Sequence, residues 1–235
     1  MRRGEKLVAA DGYQVALFPL TCLYMSQDEG GNYSHVGTYN VDFLGYRNTG
    51  SSYERVYNAP IYAPCDCKCV YLENTYGSGN LRVFQSINKV HTPSGLKYIH
   101  FYFGHDNNPV ATYVGQTFSQ GDLIAHTGTY GNVTGDHTHT CMGEGEWINW
   151  SSNVTNRPPQ NHQDLTYRLH YWDAVYVNDT DILRGFGHNW VTYSGGNLPF
   201  IRRKGLFPWV LFARKLREKN FKMPSKNWHF FNNFI

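Results

Sequence analysis

Three short polar segments of the chain contain histidine and aspartate residues that can bind a metal ion or transfer a proton. These segments are Ser34–Asp42, Tyr98–Asn108 and Gly135–His139. The last one contains His137 and His139, which are two residues apart and would point to the same face of a β-strand. One of the two can therefore bind a metal while the other faces the reacting group beside it.

His35 and Asp42 can add one nitrogen and one oxygen ligand to His139. Two histidines and one carboxylate, with a fourth position open for water, form a catalytic zinc arrangement. Zinc there would polarise a carbonyl group and lower the pKa of its bound water to about 7. A second pair of histidines nearby would transfer protons and stabilise a developing negative charge. Each motif alone is weak, because a His-x-His pair on a strand is more often structural.

The order of these motifs, with a glycine-rich run before the last of them, resembles the lysostaphin-type (LytM-like) zinc metalloendopeptidases. The residues that carry the resemblance are Val114-Gly115, Gly121-Asp122, Gly128, Gly131-Asn132, Thr134-Gly135 and His137-Thr138-His139. Ala63-Pro64 and the strand after them resemble a further segment of the family, although Cys67 or Lys68 replaces its usual glycine. The resemblance covers roughly residues 15–185.

The spacing within the first motif departs from that of most family members. His35 and Asp42 are seven residues apart, whereas most members have a shorter separation. The longer form resembles the peptidase domains of phage lysins and podophage tail-tip hydrolases. The run His105-Asp106-Asn107-Asn108 fits the same phage branch.

The resemblance also implies a role for each of the chemically active residues. The implied ligands of one zinc ion are His35, Asp42 and His139. His137 and one upstream histidine form the implied catalytic pair. His100 has the family's Tyr-x-His context, but His105 precedes Gly115 by ten residues, which is the family's spacing. We therefore predict that His105, rather than His100, is the partner of His137.

The elements that position these residues are expected to be β-strands. Aromatic residues make up 16% of the chain, glycine is frequent and charge is low at 17%, which favours strands with tight turns. We predict a mainly β fold, and the resemblance implies an antiparallel sheet that forms a groove. The predicted strands lie at Gln14–Leu20, Ile61–Leu72 with a break near Pro64, Asn80–Asn88, Lys97–Phe103, within Thr117–Thr127, His137–Met142 and Leu169–Val177.

The remaining cysteines and histidines are predicted to be structural. An odd number of cysteines, five, in a chain of this length does not indicate a disulfide framework. Cys65, Cys67 and Cys69 would share one face of a strand, and no second cysteine pair follows at zinc-finger spacing. The histidines that we predict to be structural or solvated are His91, His126, His162, His170, His188 and His229.

The composition changes near residue 195, so we predict a peptidase domain over residues 1–194 and a C-terminal extension over residues 195–235. The extension carries nine Lys or Arg and one acidic residue. Phe207–Lys219 is the expected helix, with Pro208 in its first turn and basic residues toward its C-terminus. Residues 202–226 fit a membrane surface or an anionic wall polymer. The alternatives are a solvated helix that docks on a partner and an assembly segment that anchors the enzyme in a particle. Specific nucleic-acid binding is not predicted.

Together the motifs predict a zinc-dependent endopeptidase that hydrolyses peptide bonds in bacterial peptidoglycan. The phage branch implies a bacteriolytic enzyme, either a virion tail component for cell-wall penetration or an endolysin released with a holin partner. The N-terminal residues lack the apolar core of a secretory signal, so the expected locations are the phage tail tip or the host cytoplasm before release. The alternative is a non-catalytic peptidoglycan-binding or virion structural module on the same fold.

Overall fold

A computed structural model of the chain describes residues 1–147 and 168–195. Most of the regular structure in these ranges is β-strand. The strands are β1 Cys22–Gln27, β2 Val41–Asn48, β3 Tyr53–Arg55, β4 Pro60–Tyr62, β5 Cys67–Leu72, β6 Arg82–Ser86, β7 Val90–Thr92, β8 Gly95–Lys97, β9 Ile99–Gly104, β10 Thr117–Phe118, β11 Leu123–His126, β12 Thr138–Glu144, β13 Arg168–Leu169 and β14 Asp181–Arg184. One helical turn, α1, spans Tyr171–Ala174.

One large sheet within the described residues contains ten of these strands. Its main order is β10-β5-β6-β9-β12-β2-β1-β14, with β13 beside β12 and β3 beside β2. Neighbouring strands are antiparallel except β1 and β14, which are parallel. This arrangement confirms the predicted mainly β fold with an antiparallel sheet.

The register of the central strand brings the polar motifs together. β12 pairs with β2 on one side and with β9 on the other. His139 therefore lies opposite both Asp42 of β2 and Gly104 of β9. His105 follows Gly104 directly, so three residues from three distant parts of the sequence reach one end of the sheet.

The hydrophobic core packs against the sheet and holds the central strands in place. Every residue of β9 is buried, and the rings of Phe84 and Phe101 stack with centroids 5.8 Å apart. Burying each such side chain contributes about 1.5–3 kcal/mol of transfer free energy. Cys65, Cys67 and Cys69 belong to this core, and all five cysteines of the chain are free. The structural interpretation of the three neighbouring cysteines is thus confirmed.

The predicted strand at Gln14–Leu20 is wrong, although its apolar residues are buried. The backbone N–H groups of this segment donate to several different segments, and it forms single bridges instead of a ladder. Val15 donates to Leu7, Ala16 to His91, and Leu17 to Pro64. A segment with buried residues on both faces can pack among several neighbours, so apolar character alone does not specify a paired strand.

The predicted strand at Leu169–Val177 is also wrong. Leu169 ends β13, and Tyr171–Ala174 forms the turn α1. Tyr171 and Ala174 are the buried residues of α1 and are three positions apart, which is a helical spacing rather than the alternation of a strand. The interruption near Pro64 is confirmed, because β4 and β5 are separate strands.

The predictions for the C-terminal extension fall outside the described residues. These include the helix Phe207–Lys219, the basic residues 202–226 and His229, and the prediction for His162 also falls outside the described residues. Within the described ranges, no helix combines the length and the apolar composition that crossing a lipid bilayer requires.

Candidate metal centre

Three side-chain donor atoms meet where β2, β12 and the loop before β2 come together. Asp42 Oδ1 lies 2.9 Å from His139 Nδ1 and 3.2 Å from His35 Nε2. The two imidazole nitrogens are 3.1 Å apart. Two imidazole nitrogens that face each other and share one carboxylate oxygen fit a common cation, because histidine and aspartate are typical ligands of such an ion. Within residues 1–147 and 168–195, this is the one cluster of three or more potential ligands with donor atoms inside 4.8 Å.

His35 is positioned by the loop that leads into β2. Its Nδ1–H donates a hydrogen bond to the carbonyl oxygen of Asp28 at 2.9 Å, so its Nε2 lone pair faces the other two donors. The turn after His35 uses Gly37, whose φ of +69° lies in the left-handed region that favours glycine. A hydrogen bond on the far side of a ligand ring fixes the tautomer and orientation of that ring. The seven-residue spacing of His35 and Asp42 is therefore compatible with a common centre.

The protonation states of the cluster suit a metal ion. Burial by itself raises the pKa of the Asp42 carboxyl, but hydrogen bonds from His139 and His35 outweigh burial and hold that pKa well below its usual value. Burial lowers the pKa of the His139 imidazole, although Asp42 opposes this change. An ionised carboxylate and a neutral imidazole are the forms in which these side chains bind metals.

His105 and His137 lie beside the three donors. Their ring centroids are 4.7 Å apart, and His137 Nε2 is 3.7 Å from Asp42 Oδ2. Each ring donates its Nδ1–H to a backbone carbonyl, His105 to Tyr130 at 2.9 Å and His137 to Gly135 at 2.8 Å. In a neutral imidazole this leaves Nε2 as a proton acceptor. The pair can therefore take up protons next to the candidate centre.

The structure places His105, and not His100, at the candidate centre. His105 follows the end of β9 with a φ of +76°, and its backbone N–H donates to the carbonyl oxygen of Gly79. Burial, helped by neighbouring imidazoles, lowers the pKa of His105 to about 4. His100 lies inside β9, is fully buried, and its Nδ1 bonds to the carbonyl oxygen of Gly145.

An open groove with a volume of about 1240 Å³ passes the donors and the histidine pair. Much of its lining is small and polar, including Asn132 and Thr134. Tyr33 and Tyr57 also line the groove and are 83% and 71% exposed. An open groove of this volume suits a segment of an extended polymer better than a small molecule, which is normally enclosed.

Several residues that support the centre carry no recognisable sequence motif. Asp28 contributes a backbone carbonyl, which any residue type could supply. Arg55 contacts Asp136, the residue before His137, with Nη2 3.2 Å from Oδ1. Asp136 did give a signal, because it stands beside the His-x-His pair.

Four of the histidines that were predicted to be structural or solvated each bond to a carboxylate. The pairs are His91–Asp11, His126–Asp106, His170–Glu29 and His188–Asp28.

A phage protein is similar to this chain over most of the chain's length. Morphogenesis protein 1 of Bacillus phage B103 is 34% identical over 185 residues. The aligned part covers 77% of this chain and 45% of the phage protein, so the chain spans less than half of that relative's length. No family model matches the chain.

Solved structures with partial similarity include bacterial peptidases. The catalytic domain of lysostaphin from Staphylococcus simulans is 18% identical, with a TM-score of 0.32 over 58% of this chain and 81% of that chain. The catalytic domain of the prophage-encoded M23 protein EnpA from Enterococcus faecalis is 16% identical, with a TM-score of 0.37 over 53% and 82%. A zinc containing peptidase from Vibrio cholerae is 17% identical, with a TM-score of 0.38 over 59% and 43%. In its motifs and in the antiparallel sheet that carries them, the chain resembles the lysostaphin-type peptidases, as the sequence predicts.

Proposed function

We propose that the chain is a zinc-dependent endopeptidase that hydrolyses peptide bonds of bacterial peptidoglycan. The observation that carries this proposal is the convergence of five side chains beside the groove. They are the metal-binding candidates His35, Asp42 and His139 and the catalytic candidates His105 and His137.

The donor set of two imidazoles and one carboxylate fits one zinc ion and leaves room for a further ligand. Bound zinc supplies a water molecule of lowered pKa and polarises the carbonyl group of the substrate. Asp42 and His139 line the groove, so the donors are accessible to a peptide lying in it. The outer hydrogen bond from His35 to the Asp28 carbonyl keeps the third donor in place.

The two catalytic candidates provide proton transfer. With Nδ1 holding a proton, the Nε2 atoms of His105 and His137 can accept the proton of the attacking water. The resulting imidazolium can pass that proton to the leaving amine or donate a hydrogen bond to the negatively charged oxygen of the substrate. The low pKa of His105 keeps its ring neutral near pH 7, which is the form that can accept a proton.

The phage relative supports a role in the virion. A morphogenesis protein takes part in building a phage particle, so we place the peptidase in the virion, where it would open the cell wall during infection in association with the phage tail. An endolysin released with a holin is the other setting in which the same chemistry would serve. The relative's name also supports a second candidate function, a non-catalytic virion structural module on the same fold.

The decisive experiment combines zinc analysis with mass spectrometry of purified peptidoglycan after digestion. We expect one zinc ion per chain and new peptide termini, and we expect a chelator to abolish cleavage until zinc is restored. His139→Ala should lose both zinc and cleavage. His91→Ala is the matched control, because His91 is a buried histidine that bonds to the carboxylate of Asp11 away from the groove. Cleavage that persists in His139→Ala contradicts the proposal, and bound zinc without any cleavage favours the structural module.

Residues 195–235 are proposed to be a separate extension with its own binding role. Their nine basic residues suit an anionic surface such as a teichoic-acid-rich wall or an anionic membrane. Removing residues 195–235 should reduce sedimentation with anionic vesicles or wall polymer at low salt, while cleavage of soluble peptidoglycan fragments continues. Unchanged sedimentation would contradict the binding role.

A further inference from the structure

Five consecutive residues, 126–130, form hydrogen bonds both with the loop that carries His105 and with the chain around His137, and we call them the connecting segment. On one side this segment bonds to the loop that carries His105. The backbone N–H of His126 donates to Asp106 Oδ2 at 2.8 Å. Tyr130 and His105 exchange two hydrogen bonds, from Tyr130 N–H to the His105 carbonyl and from His105 Nδ1–H to the Tyr130 carbonyl.

The other side of the connecting segment bonds to the chain around His137. Thr127 Oγ1 donates to Asp136 Oδ1 at 2.7 Å. Gly128 and His137 exchange two backbone hydrogen bonds of 2.9 and 3.0 Å. Residues 126 and 130, at the two ends of the connecting segment, thus bond to the loop of His105, and residues 127 and 128 between them bond to the chain around His137.

Each proposed catalytic histidine stands next to a buried aspartate whose carboxylate is held on both oxygens. Asp106 is 2% exposed, and its Oδ1 accepts the backbone N–H of Asn108 at 2.9 Å. Asp136 is 8% exposed, and its Oδ2 accepts the backbone N–H of Asn58 at 2.9 Å. Moving either carboxylate would break hydrogen bonds with part-buried or buried donors, which opposes the displacement.

The loop of His105 also touches the connecting segment directly at Gly128. A Cβ atom on Gly128 would lie 2.1 Å from the carbonyl oxygen of His105 and 2.4 Å from Asn107 Oδ1. Backbone atoms of the connecting segment therefore set how closely the loop of His105 can approach. The resulting separation of the two imidazole centroids is 4.7 Å.

We propose that Asp106 and Asp136 are positioning residues that fix the distance between the His105 and His137 imidazoles through the connecting segment, with Thr127 as the joint to Asp136. This inference rests on the proposed function, because it concerns the catalytic pair of that function. Neither aspartate contacts the substrate in this proposal. Each acts through the histidine beside it.

The test removes one hydroxyl group from the connecting segment. Thr127 is fully buried, and its hydroxyl donates to Asp136 and accepts the backbone N–H of Ala59. Thr127→Val removes both bonds, whereas Thr127→Ser keeps them. A displacement near 1 Å in a catalytic group costs about 100-fold in rate, so we expect kcat to fall by about 10- to 100-fold. KM and zinc content should change little in Thr127→Val. Thr127→Ser, which keeps the hydroxyl, should have a kcat close to that of the wild type.

Thr92→Val is the matched control. Thr92 is equally buried, and its hydroxyl also donates to one carbonyl, that of Gly95, and accepts one backbone N–H, that of Ser94. It lies in the β7–β8 hairpin, which does not line the groove. Loss of this hydroxyl should lower the melting temperature without the drop in kcat. Equal kcat in Thr127→Val and Thr92→Val, compared at the same folded fraction, would overturn the proposal.

A second readout works on the metal-free protein and does not depend on activity. The nitrogen resonances of the histidine side chains report the tautomer and hydrogen bonding of each imidazole. We expect Thr127→Val to shift the side-chain signals of His137, and Asp106→Asn to shift those of His105, while Thr92→Val leaves both unchanged. Unchanged imidazole signals in both positioning variants would refute the inference.

If the wild-type protein cleaves nothing, the proposed function fails. The histidine signals still decide whether the aspartates position the rings. If Thr127→Val does not fold, Asp106→Asn supplies the same test from the other side.

Discussion

The three candidate ligands are held by two different kinds of structure. Asp42 and His139 lie on β2 and β12, where the ladder of the sheet places them opposite each other. His35 lies on a loop, and outside the donor cluster its ring is held by a hydrogen bond to the Asp28 carbonyl. Two ligands thus share the stability of the sheet, whereas the third depends on a short loop.

The loop of His35 has its own support outside the sheet. Asp28 Oδ2 lies 2.8 Å from His188 Nε2, and the His188 ring stacks on Trp172 with centroids 3.6 Å apart. Glu29 bonds to His170, whose ring stacks on the same tryptophan. Residues after β12 therefore brace the loop that carries the first ligand. Local stability differs across a structure, and regions with fewer buried contacts open first.

The largest expected effect comes from breaking the sheet half of the centre. Asp42→Asn keeps the shape of the side chain but removes the negative charge that both histidines face. Mutation of a residue outside the first coordination sphere usually lowers metal affinity by about 10- to 100-fold. Because Asp42 is a proposed ligand, we expect its loss to lower zinc affinity by more than about 100-fold. Isothermal titration with zinc measures this change, and an affinity within tenfold of the wild type would argue against Asp42 as a ligand.

A smaller effect is expected from the loop half. His188→Phe keeps an aromatic ring for stacking on Trp172 and removes the bond to Asp28. We expect zinc affinity to fall by about 10-fold, because the support of His35 is loosened while the ligand itself remains. His91→Phe, which removes a comparable bond to Asp11 away from the centre, should leave zinc affinity unchanged. Equal zinc affinity in the two variants would mean that the loop needs no outside support.

The sheet half of the centre was the easier part to predict from sequence. The spacing of His137 and His139 gives the strand face, and β12 is observed where the pattern predicts a strand. The register that puts His139 opposite Asp42 is a long-range pairing, and nothing local in either strand encodes it. Sequence spacing favours His105 over His100 as the catalytic partner, which stays a prediction, and the structure places the His105 ring beside that of His137.

The support of the loop was not predictable for physical reasons. A backbone carbonyl such as that of Asp28 leaves no trace in residue type. Two of the stacked rings, His170 and Trp172, come from Leu169–Val177, where the sequence predicts one continuous strand. The observed turn α1 depends on tertiary burial of Tyr171 and Ala174, which overrides the strand propensity of the aromatic residues. Those histidines were correctly separated from the candidate centre, but their partners could not be identified.

The stability of the loop of His35 should also depend on pH in a way that the stability of the sheet does not. Burial, together with the charges of Asp28 and Asp173, raises the pKa of Glu29 to about 8. An acid whose pKa is raised by folding binds its proton more tightly in the folded state than in the unfolded state. Protonation of Glu29 therefore stabilises the folded protein fully below the unfolded pKa, which is about 4.3. This contribution to the free energy of unfolding is lost as the pH rises toward 8. In chelator, the melting temperature of the wild type should fall relative to Glu29→Gln between pH 5 and pH 8. Parallel melting curves across this interval would show that Glu29 is ionised in the folded protein.

The smallest expected effect tests whether the loop contacts the substrate as well as the metal. Tyr33 precedes His35 by two residues, lines the groove and is largely exposed. An aromatic contact contributes about 0.5–1.5 kcal/mol, so Tyr33→Ala should raise KM by roughly 2- to 10-fold with kcat and zinc content unchanged. Tyr53→Ala is the control, because Tyr53 is an exposed tyrosine of β3 outside the groove lining. A fall in kcat instead would mean that Tyr33 stabilises the loop and thereby the position of His35. A rise in KM alone would mean that the loop that carries the metal-binding candidate His35 also binds the substrate.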